Sequence, residues 1–333
     1  MKLNLVLSVI IILGLNTCNT PSLKYIYNKG IIHGAPYLIV YESPGGKDMQ
    51  TEIDTLLKKY NMIFSVYEKE SVISKVNNNE EVILPPEFIA CFNKAMEISE
   101  ISDGAFDITC GPMVNAWGFG PEEKKKMTQE KVDSLKTLTG YRKVKIENGK
   151  VIKENPNMKL DMNALCDGYF CDLICEFLEQ KGCKNYMAEI GGEVKARGKN
   201  EKGNIWTIGI NKPVDENVFV NNEIQAKVHI ENKALATSGN YRNFYIEDGI
   251  KYAHTIDPKT GYPVQHSLLS ATVVTDDGMT ADGFATTFMV LGLEKSIELS
   301  KQIPEMAVYF IYADESGNNK VYVSENFSQN LVE

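Results

Sequence analysis

Asp282 stands in an otherwise apolar stretch, MTADGFATTFMVLG, that has the composition of a buried helix. A buried carboxylate needs a cation or strong hydrogen bonds to offset its desolvation. Thr286 follows four residues later, so a helix would place its hydroxyl beside the Asp282 carboxylate on one face. Two interpretations are open from this stretch alone. In the first, Thr280 or Asp282 caps the N-terminus of a core helix. In the second, Asp282 faces a cation or a hydrogen-bond donor from elsewhere in the structure.

Two other segments combine acids with glycine. SDGAFDITCGPMVNAWGFG holds Asp107 before a Gly-Pro turn and a tryptophan flanked by small residues, which indicates either a ligand-binding loop or a stiff structural loop. LDMNALCDGY holds Asp161, Asn163 and Asp167 at a predicted helix entrance. There, Asp161 or Asn163 is suited to capping, and a backbone carbonyl is suited to facing a ligand.

Three further segments could contact an anionic substrate. EIGGEVKARG places Glu193 behind a glycine pair, as a turn acid or a site residue, and ALATSGNYRNF offers Thr237 and Ser238 in a turn that could hold phosphate. YAHTIDPKTGYP carries His254 three residues before Asp257, which suits an oriented base, a phosphate contact or a structural histidine. The chain lacks the lysine of a P-loop, so a nucleoside triphosphate site of that kind is not expected. It also lacks a Gly-x-Ser-x-Gly elbow, so a serine hydrolase is not expected.

Composition narrows the class of protein. The chain has 333 residues, of which 43% are hydrophobic, so it can form a large core that needs no disulfide or structural metal for its stability. Its formal net charge is -9 and no basic stripe stands out, so nucleic acid is not an expected partner. Seven cysteines occur without a C-x-x-C pair, which predicts neither a zinc site nor a thioredoxin-type motif.

The N-terminus predicts export. Met1-Lys2 precedes an apolar run that is too short to span a membrane and has the length of a signal sequence. The run ends at LNTC, similar to a bacterial lipobox, so we predict a signal peptide over residues 1–17, lipidation at Cys18, a tether over 18–28 and one catalytic domain over 29–333. A plain secreted protein cut nearby is the alternative.

Hydrophobic periodicity and turn residues predict an α+β fold with mixed, largely antiparallel sheets and flanking helices. SVYEKESVISKVNNN is polar and predicts a loop. The predicted helices cover 49–65, 85–102, 128–138, 164–182, 279–292 and 293–303. The predicted strands cover 34–43, 185–190, 204–210, 233–238, 244–256, 268–275, 307–313 and 320–325, with a hairpin at 141–154.

The ordered set of motifs resembles the ApbE family, the FAD:protein FMN transferases. The resemblance runs from Gly34 to about Gly292 through FSVYEKESVIS, SDGAFDITCGP with WGFG, LDMNALCDGY, IGGE, ATSGNYRNF, HTIDPKTGYP and TADGFATTFMVLG. It implies an ApbE-like fold with the active site in a cleft between two intimate subdomains. It also implies a protein of the cell envelope, lipid-anchored and facing the periplasm, in agreement with the N-terminus.

The resemblance implies a reaction and a set of site residues. With Mg2+, the family cleaves the pyrophosphate of FAD and attaches FMN to a Thr or Ser of an acceptor flavoprotein, such as a subunit of a membrane redox complex, releasing AMP. The matching metal ligands are Ala164 through its carbonyl, Asp282 and Thr286, and the matching functional histidine is His254. The matching flavin and adenine contacts are His33 (mainly through its backbone), Tyr67, Ala105, Phe106, Asp107, Asp161, Asp167 and Ile256.

Two departures from the family pattern bear on function. His33-Gly34-Ala35 replaces the usual Met-Gly-Thr, and Asp167-Gly168-Tyr169 replaces the usual Lys-Gly-Tyr. An acid in place of a cation could weaken FAD binding, add a metal contact or shift the preferred nucleotide. Two alternatives to the transferase therefore stay open: a Mg2+-dependent FAD pyrophosphatase, and a non-catalytic flavin-binding lipoprotein.

Overall fold

The computed structural model describes residues 24–213, 223–240, 244–247 and 250–332. The predicted signal peptide and Cys18 lie outside these residues. The first described strand begins at Lys24, so residues 24–28, predicted as part of a tether, belong to a sheet. None of the helices in the described ranges is both long and apolar enough to cross a membrane.

The strands divide into one large sheet and three small ones. In chain order they are β1 (Lys24–Ile32), β2 (Ala35–Ser43), β3 (Val144–Glu147), β4 (Lys150–Lys153), β5 (Tyr186–Ile190), β6 (Glu193–Arg197), β7 (Trp206–Asn211), β8 (Ile224–Ile230), β9 (Lys233–Gly239), β10 (Phe244–Glu247), β11 (Ile250–Ala253), β12 (Leu268–Thr275), β13 (Ala307–Ala313), β14 (Asn319–Val323) and β15 (Leu331–Val332). The large sheet has the order β1-β2-β5-β6-β9-β12-β13-β14. Every neighbouring pair in it is antiparallel.

The helices have the following bounds: α1 (Gln50–Phe64), α2 (Val72–Asn77), α3 (Pro86–Ile101), α4 (Gly111–Ala116), α5 (Gln129–Lys136), α6 (Asn163–Gln180), α7 (Gly278–Leu291), α8 (Leu293–Ser300) and α9 (Glu325–Ser328). Of these, α6 and α7 pack closely against each other and against the large sheet. Since α7 is buried over most of its length, its apolar residues form core rather than a single stripe.

The large sheet is buried on both faces. Along β2, Tyr37, Ile39 and Tyr41 point into the main core with the helices, whereas Val40 points into a second core. This alternation is the period of two expected for a strand. The second core is closed by the small sheet β15-β8-β7, whose Trp206 is buried in it.

The predicted fold class is confirmed, and most predicted elements are present. The exceptions are local. The predicted loop over 65–79 contains helix α2, whose N-terminus is capped by the Ser71 hydroxyl. The single strand predicted over 244–256 is divided into β10 and β11, which pair as a hairpin. Strands β6 and β8 were not predicted as elements.

A third, small core lies apart from the two large ones. It is built around Met113, Trp117 and Ile256, from the WGFG segment and the turn that follows β11. The candidate site lies between this small core and the main core, because its lining residues come from both. This position agrees with the predicted cleft between two intimately packed parts.

Candidate active site

One cavity of about 400 Å³ collects most of the predicted site residues. Ten of the twelve line it: Ala105, Phe106, Asp107, Asp161, Ala164, Asp167, His254, Ile256, Asp282 and Thr286. The other two, His33 and Tyr67, line a smaller cavity of about 150 Å³. The two cavities share Asn163 and Asp167, so they adjoin at the start of α6.

Asp282 lies in the second turn of α7 and is only 6% exposed. Its Oδ2 accepts a hydrogen bond from the Gly168 amide at 3.1 Å. Burial, together with the nearby carboxylates of Glu193 and Asp167, raises the pKa of Asp282 well above its ordinary value. A buried carboxylate facing two others has the electrostatic environment that a cation would relieve.

Asp282 does not cap α7. Asp277 is the N-cap, and its side chain accepts from the Thr280 amide at 2.8 Å. The interpretation that Thr280 or Asp282 starts the helix is therefore wrong, because Asp277 already takes the orphan amide. The Asp282 carboxylate is left available to the cavity.

Residues with hydroxyl and carbonyl oxygens line the cavity together with Asp282. Thr286, one turn further along α7, has its hydroxyl 3.2 Å from the Ser238 hydroxyl. The Gly168 amide that reaches Asp282 is also the donor that helical geometry pairs with the Ala164 carbonyl. Carboxylate, hydroxyl and carbonyl oxygens are the donors that Mg2+ prefers, so these three residues fit that ion.

No group of three His, Cys, Asp or Glu side chains suited to a metal occurs in the part of the chain that the structure describes. A metal at Asp282 would therefore depend on the hydroxyl and carbonyl ligands as well as on one carboxylate. Such oxygen-only sites suit a hard cation and exclude the thiolate and imidazole sets typical of zinc.

The close crossing of α6 and α7 explains the glycines of CDGY and DDGM. A Cβ on Gly168 would lie 2.1 Å from the Gly278 carbonyl oxygen, and a Cβ on Gly278 would lie 2.2 Å from the Gly168 carbonyl oxygen. Only glycine permits this backbone contact. We call α6, α7 and the start of β6, which bring Ala164, Glu193 and Asp282 to the cavity, the helical wall.

Asp107 and Asp161 serve local structure as well as lining the cavity. The Asp107 carboxylate accepts from the Thr109 amide at 2.7 Å, the Thr109 hydroxyl at 2.6 Å and the Tyr141 amide at 2.8 Å. Asp161 accepts from the amide of Asn163, the first residue of α6, at 2.9 Å, but the N-cap is Met162, so neither Asp161 nor Asn163 caps this helix. Burial raises the pKa of both carboxyl groups. The structural interpretation of Asp107 is thus well supported by its contacts.

His254 lies at the cavity beside a stack of aromatic rings. The rings of Trp117 and Tyr252, Tyr252 and Tyr245, and Tyr245 and Phe119 are stacked with centroids 5.5, 5.3 and 5.4 Å apart. Phe119 lines the cavity and meets the His254 ring edge-on at 6.3 Å. We call these four rings with His254 the aromatic wall.

The turn after β11 is held by its own polar groups. The Asp257 carboxylate accepts from the Lys259 amide at 2.8 Å, within the Pro and Gly turn. The Trp117 indole donates to the Gly261 carbonyl at 2.9 Å, which fixes this turn against the aromatic wall. Asp257 therefore supports the turn that carries His254.

His33 and Asp167 are in contact, with Nε2 and Oδ1 2.8 Å apart. The His33 ring also meets Phe170 edge-on at 5.7 Å. The backbone of His33 has φ of 39°, within the hairpin turn between β1 and β2. The resemblance implied a backbone contribution from His33, and the structure adds a side-chain contact to Asp167. Tyr67 is 61% exposed at the rim of the smaller cavity.

Several cavity residues were not predicted as site residues. Phe119, Val290, Thr237 and Ser238 also line the cavity. Thr237 and Ser238 belong to β9, as the strand predicted over 233–238 indicated, and the turn predicted there begins after them. The small-residue run ALATSG at a strand end was the available signal for them.

A mixed α+β fold with a polar cavity lined by carboxylate, hydroxyl and imidazole groups is typical of an enzyme that acts on a small molecule. The sequence profile of the ApbE family matches residues 33–310. The chain therefore belongs to the ApbE family, which confirms the resemblance drawn from the motifs.

Named relatives support the same assignment. The FAD:protein FMN transferase of Haemophilus influenzae is 36% identical over 327 residues, covering 94% of this chain and 93% of the relative. The solved flavin transferase ApbE of Vibrio cholerae has a TM-score of 0.84 at 34% identity, covering 93% of this chain and 100% of that one. The flavinyl transferase ApbE of Pseudomonas stutzeri gives 0.82 at 29% identity, covering 92% and 97%. These relatives are transferases, and this protein is an enzyme of that class.

Proposed function

We propose that the protein is a Mg2+-dependent FAD:protein FMN transferase. The reaction breaks the bond between the FMN phosphorus and the oxygen that bridges it to AMP, and forms a bond from that phosphorus to a Thr or Ser oxygen of an acceptor flavoprotein. The hydroxyl proton leaves to a base, and AMP departs as the second product. FAD is thus a substrate, and the acceptor is a protein.

The observation that carries the proposal is the meeting of three oxygen donors with His254 in one cavity. Ala164, Asp282 and Thr286 lie on the helical wall, and His254 lies on the aromatic wall. Cleavage of a pyrophosphate requires neutralised charge where the leaving phosphate forms and a base near the attacking hydroxyl. The similarity to named FMN transferases supports the same reaction.

Ala164, Asp282 and Thr286 would hold Mg2+, which when bound supplies positive charge to the pyrophosphate oxygens. The Ser238 hydroxyl, 3.2 Å from that of Thr286, holds this side chain in place. Ser238 also offers a hydroxyl to phosphate from the side of the cavity where Thr286 lies.

His254 is placed to accept the proton of the attacking hydroxyl or to contact the transferred phosphate. Its neighbour Thr255 donates from its hydroxyl to the Asn240 side chain at 2.8 Å, which ties the turn to the end of β9. Phe106 and Ile256 supply apolar surface within the same cavity. The flavin ring system has the apolar faces that such surfaces bind.

The experiment is incubation with FAD, Mg2+ and a flavoprotein fragment that carries an acceptor threonine, followed by mass spectrometry of the fragment and chromatography of nucleotides. We expect the fragment to gain FMN through a phosphoester and AMP to appear in equal amount. Free FMN with AMP would instead identify an FAD pyrophosphatase. Unaltered FAD would identify a flavin-binding protein and refute both enzymatic functions.

We further propose that the protein is anchored in the cell envelope by a lipid on Cys18 and faces the periplasm, where the acceptor is a subunit of a membrane redox complex. The support is the apolar N-terminal run ending at LNTC. Cys18→Ser should release the protein from the membrane fraction. Retention of the variant in that fraction would refute lipidation as the anchor.

A further inference from the structure

Asp172 is a buried carboxylate that the proposed mechanism does not use. It is 5% exposed and lies on α6, two turns beyond Ala164. Its Oδ1 accepts from the Lys195 ammonium at 2.7 Å and from the Gly278 amide at 2.8 Å, and its Oδ2 accepts from the Met279 amide at 3.0 Å. Both carboxylate oxygens are therefore satisfied by donors from two other elements.

The three elements joined by Asp172 are the three that build the helical wall. Asp172 belongs to α6, Lys195 to β6, and Gly278 and Met279 to the first turn of α7. These elements also carry Ala164, Glu193 and Asp282, respectively, to the cavity. One side chain thus links every part of the wall that would hold the metal.

The link lies beside the close backbone contact between α6 and α7. Gly168 precedes Asp172 by one turn on α6 and touches Gly278 through the glycine crossing. The Gly168 amide reaches Asp282, one turn beyond Gly278. The Asp172 carboxylate accepts from the first two amides of α7, and its negative charge favours that helix N-terminus.

A second ion pair between α6 and β6 lacks this connection. The Glu179 carboxylate on α6 accepts from the Arg197 guanidinium on β6 at 2.6 Å. The side chain of Glu179 is 44% exposed and that of Arg197 is 53% exposed. The contacts described for this pair include none with α7. The two pairs therefore share their helix and strand and differ in the link to α7. This makes Glu179 a matched control for Asp172.

We propose that Asp172, held by Lys195, is a positioning residue for the metal site: it fixes the first turn of α7 on α6 and thereby sets the distance between Asp282 and the Ala164 carbonyl. The inference rests on the proposed function, because it concerns the ligands of the proposed Mg2+. Side chains that orient metal ligands typically change metal affinity by about 10- to 100-fold when they are removed.

The test measures binding of Mn2+ alone, as a stand-in for Mg2+, by electron paramagnetic resonance of the unbound ion, together with thermal unfolding. Asp172→Asn keeps one acceptor oxygen but turns an N–H toward the Met279 amide. We expect Mn2+ affinity to fall by about tenfold or more. In Glu179→Gln we expect Mn2+ affinity within about twofold of the wild type, whatever the change in Tm, because this pair does not touch α7.

A double variant separates positioning from general stability. Asp172→Asn with Lys195→Met leaves no buried charge without a partner, so Tm should recover part of the loss seen in Asp172→Asn. Mn2+ affinity should stay weak, because the Met279 amide still lacks its acceptor. If Asp172→Asn fails to fold, the double variant gives the same measurement.

The outcomes distinguish this inference from the proposed function. Wild-type Mn2+ affinity in Asp172→Asn, or recovery of affinity together with Tm in the double variant, would overturn the positioning role alone. Absence of Mn2+ binding to the wild type, or unchanged binding in Asp282→Ala, would overturn the metal assignment and the positioning role with it. Weakened Mn2+ binding in Asp172→Asn and in the double variant, with Glu179→Gln unaffected, supports it.

Discussion

The helical wall is held by backbone contacts and buried charges, whereas the aromatic wall across the same cavity is held by stacked rings. In the helical wall, two glycines bring α6 and α7 together and a buried carboxylate binds two amides of α7. In the aromatic wall, Phe119 and Tyr245 stack 5.4 Å apart beside His254. The backbone contact between the two glycines leaves no room for a Cβ, whereas the rings of the aromatic wall meet through their side chains.

This difference matches what each wall must do. Metal ligands have to be held within a fraction of an ångström, so the side chains around Asp282 lie on two helices in direct contact. In the proposed reaction His254 accepts the proton of the attacking hydroxyl or contacts the transferred phosphate, and its ring meets Phe119 of the aromatic wall edge-on. The two walls should therefore respond differently to substitution.

The largest effect is expected for Asp282→Ala on the helical wall. Loss of the only carboxylate among the proposed ligands should lower kcat by about a thousandfold, equivalent to roughly 4 kcal/mol of transition-state stabilisation. The fold should persist, because the substitution removes a buried charge. The measurement is the rate of AMP release across a Mg2+ series. Asp276→Ala, an exposed neighbour that pairs with Lys233, is the control and should retain its activity.

Unchanged Mg2+-dependent turnover in Asp282→Ala would refute the metal assignment. If circular dichroism shows that the variant has also lost its folded state, Asp282 is required for folding and the loss of activity says nothing of a role in the reaction.

The glycine crossing should be the next most sensitive point. In Gly168→Ala the added Cβ would meet the Gly278 carbonyl oxygen, which belongs to backbone and cannot rotate away. We expect the free energy of unfolding to fall by about 3 kcal/mol. In Gly283→Ala the new Cβ meets only the ends of the Ile98 and Leu165 side chains. For Gly283→Ala we expect the free energy of unfolding to fall by about 1 kcal/mol. Urea denaturation measures both variants, and equal losses in the two would show that α6 and α7 are not in close backbone contact at Gly168.

On the aromatic wall, His254→Ala should slow transfer by about a hundredfold, the usual range for a lost acid or base. KM for FAD should change little, because the rings and the helical wall remain. His229→Ala is the control, since that histidine contacts Thr207 in the small sheet on the other side of the large one. A rise in KM with unchanged kcat would make His254 a binding residue instead.

The smallest effect concerns pH. Burial, then Glu193 and Asp167, raise the folded-state pKa of Asp282 above its ordinary value of 3.8. Between 3.8 and the raised value the folded state binds more protons, so this group's contribution to stability falls as pH rises through that window. The slope is at most about 1.4 kcal/mol per pH unit. Without metal, we expect Asp282→Asn to lose stability less steeply than the wild type across the window, and parallel curves would contradict the shift.

The site residues were predicted from the family resemblance, whereas the helix caps were predicted from local patterns. Ala164, Asp282 and Thr286 were assigned through the resemblance, and the structure brings them to one cavity. The N-cap of α7 was predicted at the wrong residue because Asp277, Thr280 and Asp282 lie within one and a half helical turns and each has a side chain that can cap a helix. Only the backbone geometry selects among them.

Long-range pairs could not be predicted from the sequence. Asp172 meets Lys195 across 23 residues and Gly278 across 106, and no local pattern connects them. The same holds for His33 and Asp167, which the turn between β1 and β2 brings to the start of α6. Helix α2 was missed because its sequence is polar, and its stability comes from Ile73 and Val76 buried against the main core.

The most direct test of the central claim is the position of the metal. Crystals grown with Mn2+ in place of Mg2+ and measured at the manganese absorption edge give an anomalous peak wherever the ion binds. We predict a peak on the helical wall, bound by the Asp282 carboxylate, the Thr286 hydroxyl and the Ala164 carbonyl. A peak elsewhere in the cavity, or none in crystals that hold FAD, would contradict the account.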